Sequence, residues 1–210
     1  MNKRSLLFER HSVRKYTEKE VPMEDIKEII KCATSAPSGK NVQNWHFVVV
    51  NDKEKIDHIA KLVEERNGEI AEEMTDEKAK ASFTKFLRFS TLFRKAPVLI
   101  LVYGGPYEPT GLNILQDINA PQEEIDALTK PNPAVQNIGA AIQNLMLAAT
   151  DMGYGTCWMT SPNYAIRKIE NYINLGKEGF SLMAMTPLGV PEGEVKFPPR
   201  KDIEEVMTVL

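Results

Sequence analysis

The sequence predicts a single domain that mixes helices with a β-sheet, and three observations carry that expectation. A chain of 210 residues is long enough for one sizeable core and does not require a second domain. Hydrophobic residues make up 42% and charged residues 26%, ordinary proportions for a globular protein, so the whole chain should fold. Segments with the spacing of a buried helix face alternate with short β-branched runs, the pattern of a two- or three-layer α/β-type domain.

The elements follow in chain order. After the charged stretch "ERHSVRKY", "VPMEDIKEIIKCATSAP" reads as a helix, because Ile26, Ile29, Ile30 and Ala33 share one face. Pro22 suits its first turn and Pro37 ends it. "HFVVV" is a short buried strand ended by Asn51 and Asp52. A second helix covers residues 53–66, with Ile56, Ile59, Ala60 and Val63 turned inward. Residues 69–95 read as helical, with an aromatic end (Phe83, Phe86, Phe89, Phe93) packed on the core. "APVLILVY" alternates little and carries no charge, so it is a central strand. Residues 104–133 hold several of the 13 prolines and no long periodic run, which suits a lid or mobile insertion. Residues 134–152 form a helix apolar on more than one face, buried in the core or in a subunit interface. "GYGTCWM" is a glycine-bounded strand, "NYAIRKIENYI" a helix and "FSLMAMTPLG" a strand. The tail from about residue 190 is rich in proline and charge and runs over the surface.

A net charge of -3 argues against a general nucleic-acid binder, which would carry an excess of Lys and Arg on one face. Cys32 and Cys157 supply neither a disulfide framework nor a zinc pair and read as two buried thiols in a reducing compartment. The runs "LLF" and "APVLILVYGG" are too short for a signal sequence or a membrane span. A soluble cytoplasmic protein is the expectation.

The motifs of acyl transfer, P-loop phosphoryl transfer and zinc hydrolysis are absent from the sequence. His11, His46 and His58 lack metal-ligand spacing, and His58 reads as solvated. What remains is a set of polar, glycine-containing turns. "SAPSGKNVQNWHF" sets Ser38, Gly39, Asn41 and Gln43 between a helix end and a strand start, where glycine permits close approach of a ligand. On its own it is more simply a helix-to-strand loop with an Asx turn. Likewise "RHSVR" alone is a capped turn, "GYGTCW" a tight turn and "PPRKDIEE" a solvated tail.

Together, "RHSVRKY", "APSGKNVQNWHFVVV", "GYGTCWM" and "PLGVPEGEVKFPPRKDIEEV" occur in an order and spacing that resemble the nitroreductase family of FMN-dependent oxidoreductases, over essentially the whole chain. The resemblance implies an α+β, nitroreductase-like fold with a mixed central β-sheet wrapped by helices. It also implies an intertwined homodimer, with the helix at 134–152 in the interface and the arm at about 190–210 crossing the partner. FMN would lie at that interface and touch both chains. Arg10 and Ser12 would hold its phosphate, His11 would lie beside them, and Arg14 would face the flavin pyrimidine ring. Pro37, Ser38, Gly39, Asn41 and Gln43 would form the loop supplied by the partner. Gly155 and Thr156 would turn their backbone to the flavin ring, and Arg200 would be a tail cation for the phosphate.

The chemistry of these residue types suits that role. An FMN phosphate carries about two negative charges, and the planar guanidinium fork matches phosphate oxygens. A cation at Arg14 would stabilise the negative charge left by hydride addition and raise the redox potential. The flavin would then carry the reaction, so neither a catalytic side chain nor a metal is expected. The family implies NADH or NADPH as donor, a ping-pong mechanism, and a nitroaromatic, quinone or related small acceptor. Dehalogenases and flavin-fragmenting enzymes of the same fold, or a non-enzymatic flavin binder, are the alternatives. Two departures stand out: Asn44 where proline commonly precedes the tryptophan, and Pro198 with Pro199 before Arg200 where a further basic residue is common. Lys196 or Lys201 would be the replacement cation.

Overall fold

The computed structural model describes residues 5–193 and 197–210. In chain order the helices are α1 (Ser5–Glu9), α2 (Met23–Thr34), α3 (Lys53–Glu73), α4 (Glu77–Ser90), α5 (Leu112–Asp117), α6 (Gln122–Thr129), α7 (Pro133–Asp151) and α8 (Ile166–Ile173). The strands are β1 (Trp45–Val50), β2 (Val98–Gly104), β3 (Gly155–Thr156) and β4 (Ser181–Gly189). They form one sheet in the order β1-β2-β4-β3 with antiparallel neighbours. The parallel element is an isolated bridge between Ser12 and Thr156. The fold is the expected α+β type.

β2 explains the layering. All seven of its residues are buried, so both faces of the sheet must be covered. Val98, Ile100 and Val102 pack with Ile26 and Ile29 of α2 and Ile138, Ile142 and Leu145 of α7. Leu99, Leu101 and Tyr103, on the opposite face, pack with Ile56, Ile59 and Val63 of α3, Phe93, and Ile169 of α8. The period of two along one strand thus builds a three-layer domain. β2 is also interior to the sheet, as its unbroken apolar run requires.

Several boundaries differ from expectation, each for a local reason. α3 starts where Asp52 accepts from the Glu54 and Lys55 amides, but it runs seven residues beyond Arg66. Its inward stripe continues through Asn67 and Ala71, and the polar Asn67 hides the periodicity while its amide reaches the Tyr164 hydroxyl at 3.4 Å. The aromatic end of residues 69–95 is not wholly packed on the core. Phe93 is fully buried, but Phe86 and Phe89 on α4 are 51% and 40% exposed. Residues 105–132 hold two short helices, α5 and α6. The strand expected over "GYGTCWM" is reduced to Gly155–Thr156, followed by a bridge from Met159 to Met185. Cys157 and Trp158 therefore lie outside the ladder. Cys157 is buried as expected, while Cys32 is half-buried. His58 is exposed and lies against Tyr172. Among the described residues no helix is long and apolar enough to cross a membrane.

One core group predicts a gain in stability. The Tyr103 ring is 1% exposed, and its hydroxyl has no hydrogen-bond partner among the described residues. Burial, reinforced by Glu170, pushes that hydroxyl up to about 12. Because an unmade buried hydrogen bond is costly, Tyr103→Phe should stabilise the fold by about 1 kcal/mol. The phenol's raised folded value means the wild type loses stability as pH climbs from about 10 toward 12, whereas Tyr103→Phe should lose less. Urea unfolding at neutral and alkaline pH measures both effects.

Candidate functional site

The N-terminal segment is anchored by backbone pairing. The Val13 amide donates to the Thr156 carbonyl at 2.8 Å, the Thr17 amide to Val190 at 2.9 Å, and the Glu192 amide to Lys15 at 3.1 Å. Val13 and Tyr16 point inward, 3% and 6% exposed, and the Tyr16 hydroxyl donates back to the Val13 carbonyl at 2.7 Å. Gly155 lies directly under Val13: a Cβ there would sit 2.5 to 2.7 Å from three Val13 side-chain atoms. Glycine is thus required by close approach, not by turn geometry.

Ser12 and Arg14 alternate on the segment that pairs with Thr156, and Arg10, whose amide closes the last turn of α1 on the Leu6 carbonyl, lies just ahead of them. All three converge on Cys157. Burial pushes its thiol up, while Arg14, a hydrogen bond from Ser12, and Arg10 oppose that shift. His11 donates through Nδ1 to the Glu9 carbonyl at 2.7 Å, and Phe197 meets its ring edge-on at 4.9 Å. Two buried polar atoms here, His11 Nε2 and Thr156 Oγ1, have no hydrogen-bond partner among the described residues.

The tail cation is brought toward the same place. Arg200 is exposed, three residues beyond Phe197, so at most about 11 Å of chain separates it from the residue docked on His11. Lys201 is exposed beside it, and Lys196 lies outside the described residues.

Beside this cluster a cavity of about 490 Å³ is lined by Arg14, Cys157, Trp158, Thr160 and Ser161, with Phe86, Phe89 and Leu92 on the other wall. Its size is that of a small-molecule site. Phe86, Phe89 and Trp158 were not among the candidates read from the sequence. The available signal was a pair of phenylalanines three apart on an otherwise charged helix, which α4 leaves facing outward.

The loop after α2 is built separately. The Ser38 hydroxyl accepts from the Gln43 amide at 3.0 Å, and the Gln43 side chain donates to Asn41 Oδ1 at 3.1 Å. Lys40, Asn41 and Gln43 have φ of 55°, 52° and 47°, left-handed conformations uncommon outside glycine. Asn137 Oδ1 accepts from the Gly39 amide at 3.0 Å and so ties the loop to the first turns of α7. Pro37, Gly39, Asn41 and Gln43 are exposed and Ser38 is half-buried.

The two clusters stand apart within one chain. The loop hangs on Asn137, whereas Gly155 follows Tyr154, whose amide donates to Ala149 near the far end of α7. Twelve helical residues between those anchors span about 18 Å. Among the described residues no hydrogen bond or ion pair joins residues 37–43 to residues 10–14 or to Gly155 and Thr156.

Comparison with known proteins identifies the family and the fold. The family model described as Nitroreductase family matches residues 7–190. The crystal structure of a BluB-like flavoprotein from Clostridium difficile 630 is 43% identical, covers 100% of this chain and 99% of its own, and superposes with a TM-score of 0.94. An iodotyrosine deiodinase from Thermotoga neapolitana is 25% identical over 205 residues, 94% of this chain and 93% of the relative. A nitroreductase with bound FMN from Desulfitobacterium hafniense DCB-2 has the same fold: TM-score 0.70, 23% identity, and 98% and 96% of the two chains covered.

Proposed function

The chain belongs to the nitroreductase family, and from that premise we propose that it binds FMN between two copies of itself and passes electrons from NADH or NADPH to a small electron-poor acceptor, such as a nitroaromatic or a quinone. The observation that carries this reading is the gathering of Arg10, Ser12 and Arg14 beside Thr156 and Cys157, with His11 Nε2 and Thr156 Oγ1 buried and without a hydrogen-bond partner among the described residues. A phosphorylated heterocycle rich in hydrogen-bonding atoms fits that surplus. The nitroreductase with bound FMN and the BluB-like flavoprotein support the choice of group.

When bound, FMN would supply two-electron chemistry, taking hydride equivalents from the nicotinamide and yielding them to the acceptor. The protein's own residues do the rest. Arg10 and Ser12, with Arg200 from the tail, hold the phosphate through charge-assisted hydrogen bonds. Arg14 sets a permanent cation at the wall of the cavity, where it favours the more negatively charged state of whatever ring lies there. Trp158, Phe86 and Phe89 offer flat apolar faces to a planar acceptor. Pro37, Ser38, Gly39, Asn41 and Gln43 complete the site from the second chain. The roughly 18 Å of α7 between the residues that anchor the two clusters supports pairing. So do Leu147, half-buried on α7, and the exposed Ile203, Val206 and Met207 of the tail. Two free cysteines suit a cytoplasmic setting.

The deiodinase relative favours one further reading, reductive removal of halogen from a halogenated phenol under a lid formed by residues 105–133. One anaerobic experiment separates the cases. The protein should be yellow, or become so with FMN, should bleach with NADH or NADPH, and should regain colour with a nitroaromatic or quinone. Recovery only with a halogenated tyrosine would favour the second reading. Yellow protein that oxidises neither nicotinamide would be a flavin binder, and protein that stays colourless in FMN would end the proposal.

A further inference from the structure

We propose that Asn44 and Asn137 form a positioning pair with divided duties: Asn137 sets the 38–43 loop, and Asn44 fixes both roots of the 105–133 segment. The proposal rests on the functional reading above, in which the loop faces the cofactor, and takes from its second form the placing of the segment over the substrate.

The bonds run in one direction. Asn137 Oδ1 accepts from the Gly39 amide at 3.0 Å, and Asn137 Nδ2 donates to Asn44 Oδ1 at 2.9 Å. Asn44 Nδ2 then donates to the carbonyls of Gly105 at 3.1 Å and Ala134 at 3.4 Å. A single amide nitrogen thus holds the entry and the exit of the segment. Asn44 and Asn137 are 5% and 6% exposed, and flipping either amide would set like atoms against like. The Gly105 amide also donates to the Asn44 carbonyl at 2.6 Å.

Beyond its root, the segment lies on the loop itself. Lys40 Nζ donates to the Glu108 carbonyl at 2.9 Å and sits 5.7 Å from the Tyr107 ring centre. The Tyr107 hydroxyl fills the space a Cβ on Gly39 would need, 2.5 Å away. Three left-handed residues in the loop require support from outside it, and Asn137 supplies that support.

The side-chain chemistry allows the duties to be separated. Asn44→Asp keeps the oxygen that Asn137 needs but loses both donations to the segment roots. Asn137→Asp keeps the oxygen for Gly39, whereas Asn137→Ala does not. In the flavin-loaded protein, Asn44→Asp should raise acceptor KM by about fivefold, with kcat and FMN affinity within about twofold of wild type. Asn137→Ala should weaken FMN binding by about tenfold, and Asn137→Asp should recover most of that loss. Should Asn44→Asp fail to fold, Asn44→Ser removes the same donations without a buried charge; because it also removes the oxygen that accepts from Asn137, its readouts are acceptor KM and exchange over 105–133. The pair is overturned if FMN affinity and acceptor KM move in the same proportion in both variants and Asn137→Asp is no better than Asn137→Ala.

Amide hydrogen exchange, run with and without FMN, keeps the two ideas distinguishable. Faster exchange over 105–133 but not over 38–43 in the Asn44 variant supports the pair even in a chain that binds no flavin, where the functional reading alone would fail. Unchanged exchange over 105–133 overturns the pair.

Discussion

Gly155→Ala will leave the chain folded but weaken FMN binding by tenfold or more, on the order of 1.4 kcal/mol. The added methyl would meet Val13 Cγ2, Cβ and Cγ1 at 2.5, 2.6 and 2.7 Å. Val13 cannot swing aside, because a β-branched side chain 3% exposed has few rotamers open to it. The clash must push the two backbones apart at the point where the Val13 amide meets the Thr156 carbonyl. Overpacking of this kind costs about 1–3 kcal/mol of stability. It falls where Arg10, Ser12 and Arg14 are placed relative to Thr156, so cofactor affinity should suffer more than the melting temperature. Adding Val13→Ala to the same chain removes the clashing methyls and should restore most of the affinity. Isothermal titration with FMN and thermal melts of the three variants test this, and a Gly155→Ala chain that binds FMN like wild type would refute it.

Replacing the two arginines should separate retention of the cofactor from its redox behaviour. In the proposed site Arg10→Leu would remove a charge-assisted contact to phosphate, worth about 1.5–3 kcal/mol, and so should weaken FMN binding roughly ten- to a hundredfold. Arg14 lies on the cavity wall. Its loss should lower the two-electron midpoint potential by about 30 mV, the equivalent of about 1.4 kcal/mol, with a smaller change in affinity. Spectroelectrochemistry gives the potential, and flavin fluorescence on dilution gives the affinity. Equal loss of FMN from both variants would contradict the division of labour.

The sequence made the buried scaffold legible because its pattern depends on local periodicity. The runs at Ile26, Ile29 and Ala33 and throughout β2 place their residues where the three-layer packing needs them. Periodicity failed where a polar residue occupied an inward position, as Asn67 does, or where apolar residues face outward, as Phe86 and Phe89 do. The candidate site was legible only as scattered turns, since no spacing rule connects Arg10 with Thr156 across the chain. Tertiary pairing of the Val13 amide with the Thr156 carbonyl makes that connection. From the sequence Asn44 is legible only as a departure from the resemblance. Its significance depends on Asn137, 93 positions away, and such a partnership leaves no trace in local composition.

The distance between the loop at the start of α7 and the Arg10 cluster at its other end has a consequence for regulation. In the proposed pairing, a site completed by two chains is a second-order object, and its abundance falls faster than the abundance of the chain itself. Dilution would then silence the protein before any side chain changes, and free cofactor would act as a glue that recruits the second subunit. Loss of flavin and loss of the partner become one event, so the amount of FMN in the cell would set how much of this protein is assembled.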